Sequence, residues 1–156
     1  MKITLLNEQD TEQLGSELWR ILPEKCLIFL NGDLGAGKTT LTRGVLRAAG
    51  HKTAVKSPTY TLVEEYDLPN RKVFHFDLYR VKDPEELEWM GIRDYLEQQS
   101  LCFIEWPELG KGFLPEPDIE LTISTVEEGR EVEIAVISEN LVNKLNLHWK
   151  NKDILL

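Results

Sequence analysis

The segment Gly32-Asp33-Leu34-Gly35-Ala36-Gly37-Lys38-Thr39-Thr40 matches the phosphate-binding pattern G-x-x-x-x-G-K-[ST] at every fixed position. This constrains the architecture, because such a loop works between a buried strand and a helix. Its glycines let the backbone turn N–H groups inward around an anion. Lys38 reaches β- and γ-phosphates, and the Thr39 hydroxyl suits a divalent cation. The flanking residues agree. Cys26-Leu27-Ile28-Phe29-Leu30 is an apolar run before the loop, and Thr40 to Ala49 reads as a helix closed by Gly50. That helix aims the positive end of its dipole at the phosphates.

The chain has 156 residues, 42 % of them hydrophobic, which suits one domain with a real core and hardly two. A single domain over 1–156 is expected, with residues from about 140 forming a terminal helix or a frayed tail. No apolar run is long enough to span a membrane. The opening Met1-Lys2-Ile3-Thr4-Leu5-Leu6 is too short and too soon polar for a signal peptide. Cys26 and Cys102 sit inside apolar runs and read as buried thiols of a reducing compartment, so a cytoplasmic protein is expected. Lys and Arg total 18 against 27 Asp and Glu, a net charge of −9. That balance argues against autonomous binding to nucleic acid or to an anionic membrane, since both need a basic surface.

Asp10 and Gln13 resemble a capping box, and Leu14, Leu18 and Leu22 then share one helix face up to a stop near Pro23. Beyond the loop helix the pattern changes to strands. Tyr60 to Tyr66 is one run and Arg71 to Leu78 the next, with Asp67-Leu68-Pro69-Asn70 as a hairpin turn. Asp83-Pro84-Glu85-Glu86 opens a helix as cap, first position and capping box, and a second short helix covers Ile92 to Glu97. Leu101-Cys102-Phe103-Ile104 is continuously apolar, as a strand buried on both faces should be. Residues 107 to 117 read as a loop. Ile119, Leu121 and Ile123, then Val132, Ile134 and Val136, alternate as two strands of a hairpin about Glu127-Glu128-Gly129-Arg130. Leu141, Leu145 and Trp149 suggest the terminal helix. The pattern defines an α/β domain, P-loop NTPase-like, with a mixed sheet. It is parallel around the phosphate loop and carries antiparallel hairpins at the margins.

A phosphate loop binds nucleotide; transfer or hydrolysis also needs an acid near the metal and a group that orients the attacking oxygen. Glu105 follows the buried strand, at the strand end where ligands collect in open α/β sheets. Asp77 ends another apolar run. Each is either a site carboxylate or an ordinary strand-end acid. Ser57-Pro58-Thr59-Tyr60 reads as a switch segment near the γ-phosphate or as a plain turn. His75, between Phe74 and Phe76, reads as a core or cross-strand histidine before a catalytic base. Trp106 either packs on Pro107 or stacks on a base or a partner surface.

Taken together, the loop at 32–40, Ser57-Pro58-Thr59-Tyr60, His75-Phe76-Asp77-Leu78-Tyr79-Arg80 and Ile104-Glu105-Trp106 resemble the TsaE family. These are small bacterial P-loop ATPases required for threonylcarbamoyladenosine modification of tRNA. The resemblance covers roughly residues 10 to 125, in order. It implies an ATPase that works with the TsaD–TsaB pair, which transfers the threonylcarbamoyl group onto adenosine 37 of tRNAs reading ANN codons. It implies ATP and Mg²⁺ as ligands, with Thr39 and Glu105 on the metal. Gly35, Ala36, Gly37, Lys38, Thr39 and Thr40 would contact the phosphates, Thr11 would lie near the adenine, and Asp77 and Thr59 would act near the γ-phosphate. Trp106 counts with the nucleotide-binding residues, and tRNA is met only through partners. Two other readings stay open on the residues alone: a small-molecule or nucleoside kinase, and a nucleotide-sensing adaptor without turnover.

Overall fold

Side-chain alternation along the central strands sets the layers. In β5 (Ser100–Glu105) Leu101 and Phe103 pack into one core, and Cys102 and Ile104 into another. In β4 (Lys72–Asp77) Val73 joins the first core, and Phe74 and Phe76 the second. A strand with apolar residues on both faces needs cover on both. One cover is α1 (Glu8–Ile21) with α2 (Lys38–Ala48); the other is α3 (Glu85–Trp89) with α4 (Ile92–Glu97). The computed structural model describes residues 1–52, 54–69 and 71–150, and of 146–150 the backbone alone.

The remaining elements are β1 (Lys2–Leu5), β2 (Cys26–Asn31), β3 (Val63–Asp67), β6 (Ile119–Thr125), β7 (Arg130–Val136) and α5 (Glu139–Lys150). A 3₁₀ turn covers Pro107–Gly110. The seven strands form one sheet in the order β1-β7-β6-β2-β5-β4-β3. Strands β6, β2, β5 and β4 run parallel, and β1–β7, β6–β7 and β3–β4 pair antiparallel. The expected mixed sheet is therefore present, parallel around the loop and antiparallel at its margins.

The local structure departs from the expectations at several points. Helix α1 is capped at Asn7, not at Asp10. The Asn7 side chain accepts the Asp10 N–H at 2.9 Å, and the Asp10 carboxylate accepts the Leu6 N–H at 3.0 Å. The pair that reads as a box therefore lies inside the first turn, one cap earlier. Strand β3 begins at Val63 and not at Tyr60, because Leu62 takes a left-handed φ of 71° and its N–H bonds the Pro58 carbonyl in a turn. The stretch at 2–5, unassigned from its pattern, is the edge strand β1, held in register on β7 from Lys2↔Glu133 to Leu5↔Arg130. The two short helices and the β6–β7 hairpin stand as expected, except that α3 opens one residue later: Pro84 is its cap residue, with no side-chain cap bond, and Asp83 accepts the Glu85 N–H at 3.0 Å just ahead of it. Asn70, the last residue of the expected 67–70 turn, lies outside the described residues. So do the Trp149 side chain and the tail from 151.

Two glycines let α1 and α2 touch. A Cβ on Gly44 would overlap the Glu12 carbonyl oxygen, and one on Gly15 the Leu41 carbonyl oxygen. Backbone-to-backbone contact at this crossing brings Thr11 beside the start of α2, where its Cγ2 lies 4.0 Å from the Cβ position of Gly37.

Candidate nucleotide-binding site

The loop leaves β2 at Asn31 and enters α2 at Lys38. Gly37 is the cap residue, with a left-handed φ of 110° and no side-chain cap bond, so the first N–H groups of α2 face the loop without a side chain across them. Lys38 folds back over the loop. Its Nζ donates to the Gly32 carbonyl at 2.5 Å and lies 3.3 Å from Glu105 Oε1. It also sits 4.8 Å from the Trp106 ring centroid. Both members of the ion pair are buried.

Strand register explains why Glu105 is there. β4 and β5 pair in parallel with Asp77 opposite Glu105 and His75 opposite Phe103. With a side-chain period of two, positions 73, 75 and 77 and positions 101, 103 and 105 share the face covered by α2. His75 therefore reaches along the sheet to Glu105, with Nε2 2.5 Å from Oε2. Burial by itself pushes the Glu105 carboxyl upward; the hydrogen bond and charge of His75, then Lys38, overcome this and hold it below the ordinary value. His75 is fully buried and its Nδ1 has no hydrogen-bond partner among the described residues.

Asp77 is buried and accepts twice: from Thr59 Oγ1 at 3.1 Å and from the Tyr79 N–H at 2.9 Å. Thr59 in turn lies 2.8 Å from Ser57 Oγ. The 57–60 segment is thus tied to the end of β4 beside Glu105. Trp106, at a left-handed φ of 57°, turns the chain out of β5 and packs on Tyr79, ring centroids 5.1 Å apart.

Two cavities flank the loop. One, of about 290 Å³, is lined by Asn7, Thr11, Gly35, Gly37, Thr40 and Arg130 among others. The second, of about 360 Å³, has Asn31, Gly32, Ala36, Trp106 and Ser124 in its wall. The residues singled out from sequence therefore gather around one loop, with Thr11 and Thr40 on one side and Trp106 on the other. Thr39 follows Lys38 on α2 and is half-buried. Two residues ranked low or unnoticed belong to the site. One is His75, whose period-two spacing from Asp77 signals the shared face. The other is Arg130, for which the sequence holds no signal.

The donor set fits Mg²⁺. Glu105, Asp77 and Thr39 offer hard oxygen atoms, the type this ion takes. Among the described residues no three His, Cys, Asp or Glu side chains converge to hold a metal alone.

The parallel β2–β5–β4 core, the left-handed glycine before α2 and the Lys38–Glu105 pair define a P-loop NTPase-like domain. Comparison with known proteins narrows the class. The family model described as "Threonylcarbamoyl adenosine biosynthesis protein TsaE" matches residues 5–132. The Haemophilus influenzae protein named as tRNA threonylcarbamoyladenosine biosynthesis protein TsaE is 57 % identical over 118 residues, covering 75 % of each chain. Its Bacillus subtilis namesake is 30 % identical over 152 residues, covering 95 % of each. A crystal structure of Bacillus subtilis YdiB superposes with a TM-score of 0.80 at 26 % identity over 95 % of each chain. This chain belongs to the TsaE family, proteins of threonylcarbamoyladenosine biosynthesis in tRNA.

Proposed function

We propose that this protein binds ATP with Mg²⁺ and hydrolyses it in support of tRNA threonylcarbamoyladenosine formation, in the cytoplasm and together with the TsaD–TsaB pair. One observation carries the reading. Lys38, buried between the Gly32 carbonyl and the Glu105 carboxylate, sits at the mouth of a loop that leads into a helix N-terminus. This is the arrangement that binds a polyphosphate: a fixed cation, inward N–H groups and an acid beside them.

In this reading residues 35 to 40 cradle the phosphates through the N–H groups that the loop leaves free, and Lys38 moves its charge onto the β- and γ-oxygens. Thr39 and Glu105 would hold Mg²⁺, which when bound would supply charge neutralisation at the phosphates. His75 fixes the Glu105 carboxylate. Asp77, braced by Thr59 and the Tyr79 N–H, orients a water toward the γ-phosphorus. The water oxygen bonds to that phosphorus while the bond to the β–γ bridging oxygen breaks. ADP leaves, and the water's protons end on the released phosphate or in solvent. Thr11 and Thr40 border the space next to the phosphates where the nucleoside end lies. Trp106 shields the Lys38 ammonium with its ring.

The net charge of −9 fits a protein that meets tRNA through partners. The test is reconstitution with purified components, scoring modified adenosine 37 per TsaD–TsaB complex over time and phosphate released. Repeated turnover that needs this protein and ATP is expected. Repeated turnover without it, or tight tRNA binding by this protein alone at physiological salt, refutes the assignment. Phosphate passing to an added nucleoside or small acceptor, rather than to water, would favour a kinase.

A further inference from the structure

Arg130 opens β7, directly after the hairpin turn, and its guanidinium crosses to the phosphate loop. Nε donates to the Ala36 carbonyl at 2.9 Å, Nη2 to the Gly35 carbonyl at 3.4 Å, and Nη1 to the Gly129 carbonyl at 3.1 Å. Two consecutive loop carbonyls are turned toward one planar cation. In a trans peptide the C=O and the next N–H point to opposite sides, and the described residues contain no cis peptide. Drawing the Ala36 carbonyl toward Arg130 therefore turns the Gly37 N–H away from it.

Gly35 and Gly37 have left-handed φ values of 80° and 110°, and a Cβ at Gly35 would meet nothing within 4 Å among the described residues. The Ala36 N–H donates to the Asp33 carbonyl at 3.0 Å, so the Gly35–Ala36 plane is tied within the loop, whereas the Ala36–Gly37 plane needs a partner of its own. Arg130 is well placed to supply it. It pairs with Leu5 of β1 and Thr125 of β6, so its backbone is fixed on both sides. Gly129, at φ 93°, presses the turn so close that a Cβ there would overlap the Leu5 carbonyl oxygen. A guanidinium fork holds two acceptors in one plane, which an ammonium does not.

We infer that Arg130 is a positioning residue for nucleotide binding, holding the Ala36–Gly37 peptide plane in the anion-binding orientation while the phosphates bind elsewhere on the loop. The inference rests on the nucleotide reading above, and its test separates the two. Arg130→Lys keeps the charge without the fork, and Arg130→Gln keeps one donor. Glu131→Gln is the control, since among the described residues the ion pair of that carboxylate is with the exposed Lys2 at 3.7 Å. Hydrogen exchange over residues 33–38, measured by mass spectrometry without nucleotide, should quicken in both Arg130 variants and not in the control. ADP affinity by calorimetry should fall about tenfold in both, the loss of one charge-assisted hydrogen bond's worth of orientation. The KM for ATP should rise by more than kcat falls. ADP affinity within about twofold of the unmodified protein overturns the inference, whatever the exchange shows, because surface changes alone stay in that range. Unchanged exchange over 33–38 overturns it too, as does failure of both variants to fold, since the arginine would then hold the sheet and not the loop. If the unmodified protein does not bind ADP, the nucleotide reading falls, and the exchange measurement alone decides whether Arg130 holds the loop.

Discussion

Glu105→Gln tests the centre of the site, because glutamine keeps the shape and removes the charge. Glu105 faces two donors: Lys38 Nζ at 3.3 Å on Oε1 and His75 Nε2 at 2.5 Å on Oε2. A glutamine has one oxygen and one NH₂; Lys38 can only donate, while a neutral His75 can accept the NH₂ at Nε2 with its proton on Nδ1, so the oxygen is free to face Lys38. Even so, the Lys38 ammonium is left buried without its counter-charge. Breaking a buried ion pair from one side costs about 3–5 kcal/mol. Lys38 keeps the Gly32 carbonyl at 2.5 Å and the Trp106 ring at 4.8 Å, which places the cost at the lower end. We therefore expect a stability loss of about 3 kcal/mol at neutral pH, read as a fall in the urea midpoint of about 1–3 M for a protein of this size.

The loss has a pH signature. The folded-state pKa of Glu105 is lowered from its ordinary 4.5, so the pair contributes stability above that value. The contribution disappears as pH falls through the lowered folded pKa, where the protonated acid resembles glutamine. Urea unfolding of both proteins from neutral pH down into the acid range below 4.5 should show the two stabilities converging. Removing the cation as well, in Lys38→Met with Glu105→Gln, should cost less than the sum of the single changes. A neutral-pH loss under about 1 kcal/mol, as for an exposed pair, would refute the reasoning, and so would a loss that persists unchanged in acid.

Lys38→Ala should weaken ATP binding tenfold or more, since charge-assisted bonds are worth roughly 1.5–3 kcal/mol, and calorimetric titration reads this directly. Asp77→Asn should bind ATP nearly as the parent does and hydrolyse it more slowly; unaltered phosphate release would remove Asp77 from the reaction. The same Glu105→Gln protein should lose Mg²⁺-dependent hydrolysis more than metal-free nucleotide binding, and equal losses would mean a folding role only. Gly44→Ala forces a Cβ onto the Glu12 carbonyl oxygen. It should destabilise by roughly 1–3 kcal/mol, visible as a lower melting temperature, and separation of α1 from α2 should loosen Thr11 beside the loop.

The sequence alone determined what depends on neighbours along the chain. A strand, a glycine-rich turn and a helix are consecutive at 26–48, so the phosphate loop and the roles open to Lys38 and Thr39 could be read directly. Glu105 stands out because it directly follows the apolar run 101–104. The same local reading went astray where longer-range pairing decides. Residues 2–5 are too few to announce a strand and become one only on β7. Tyr60 to Leu62 carry strand-forming residues, yet a turn anchored on Pro58 takes them. His75 gave a core histidine's pattern, and only the parallel β4–β5 register sets it against Glu105, 30 residues on. Arg130 lies 94 residues from Ala36, in a hairpin whose sequence says nothing of the loop. Local backbone preference and side-chain period act over a few residues and are written in the sequence. Which strands lie side by side is settled by the burial of whole faces and the pairing of all their backbone groups at once, and that alone brings His75 and Arg130 to the site.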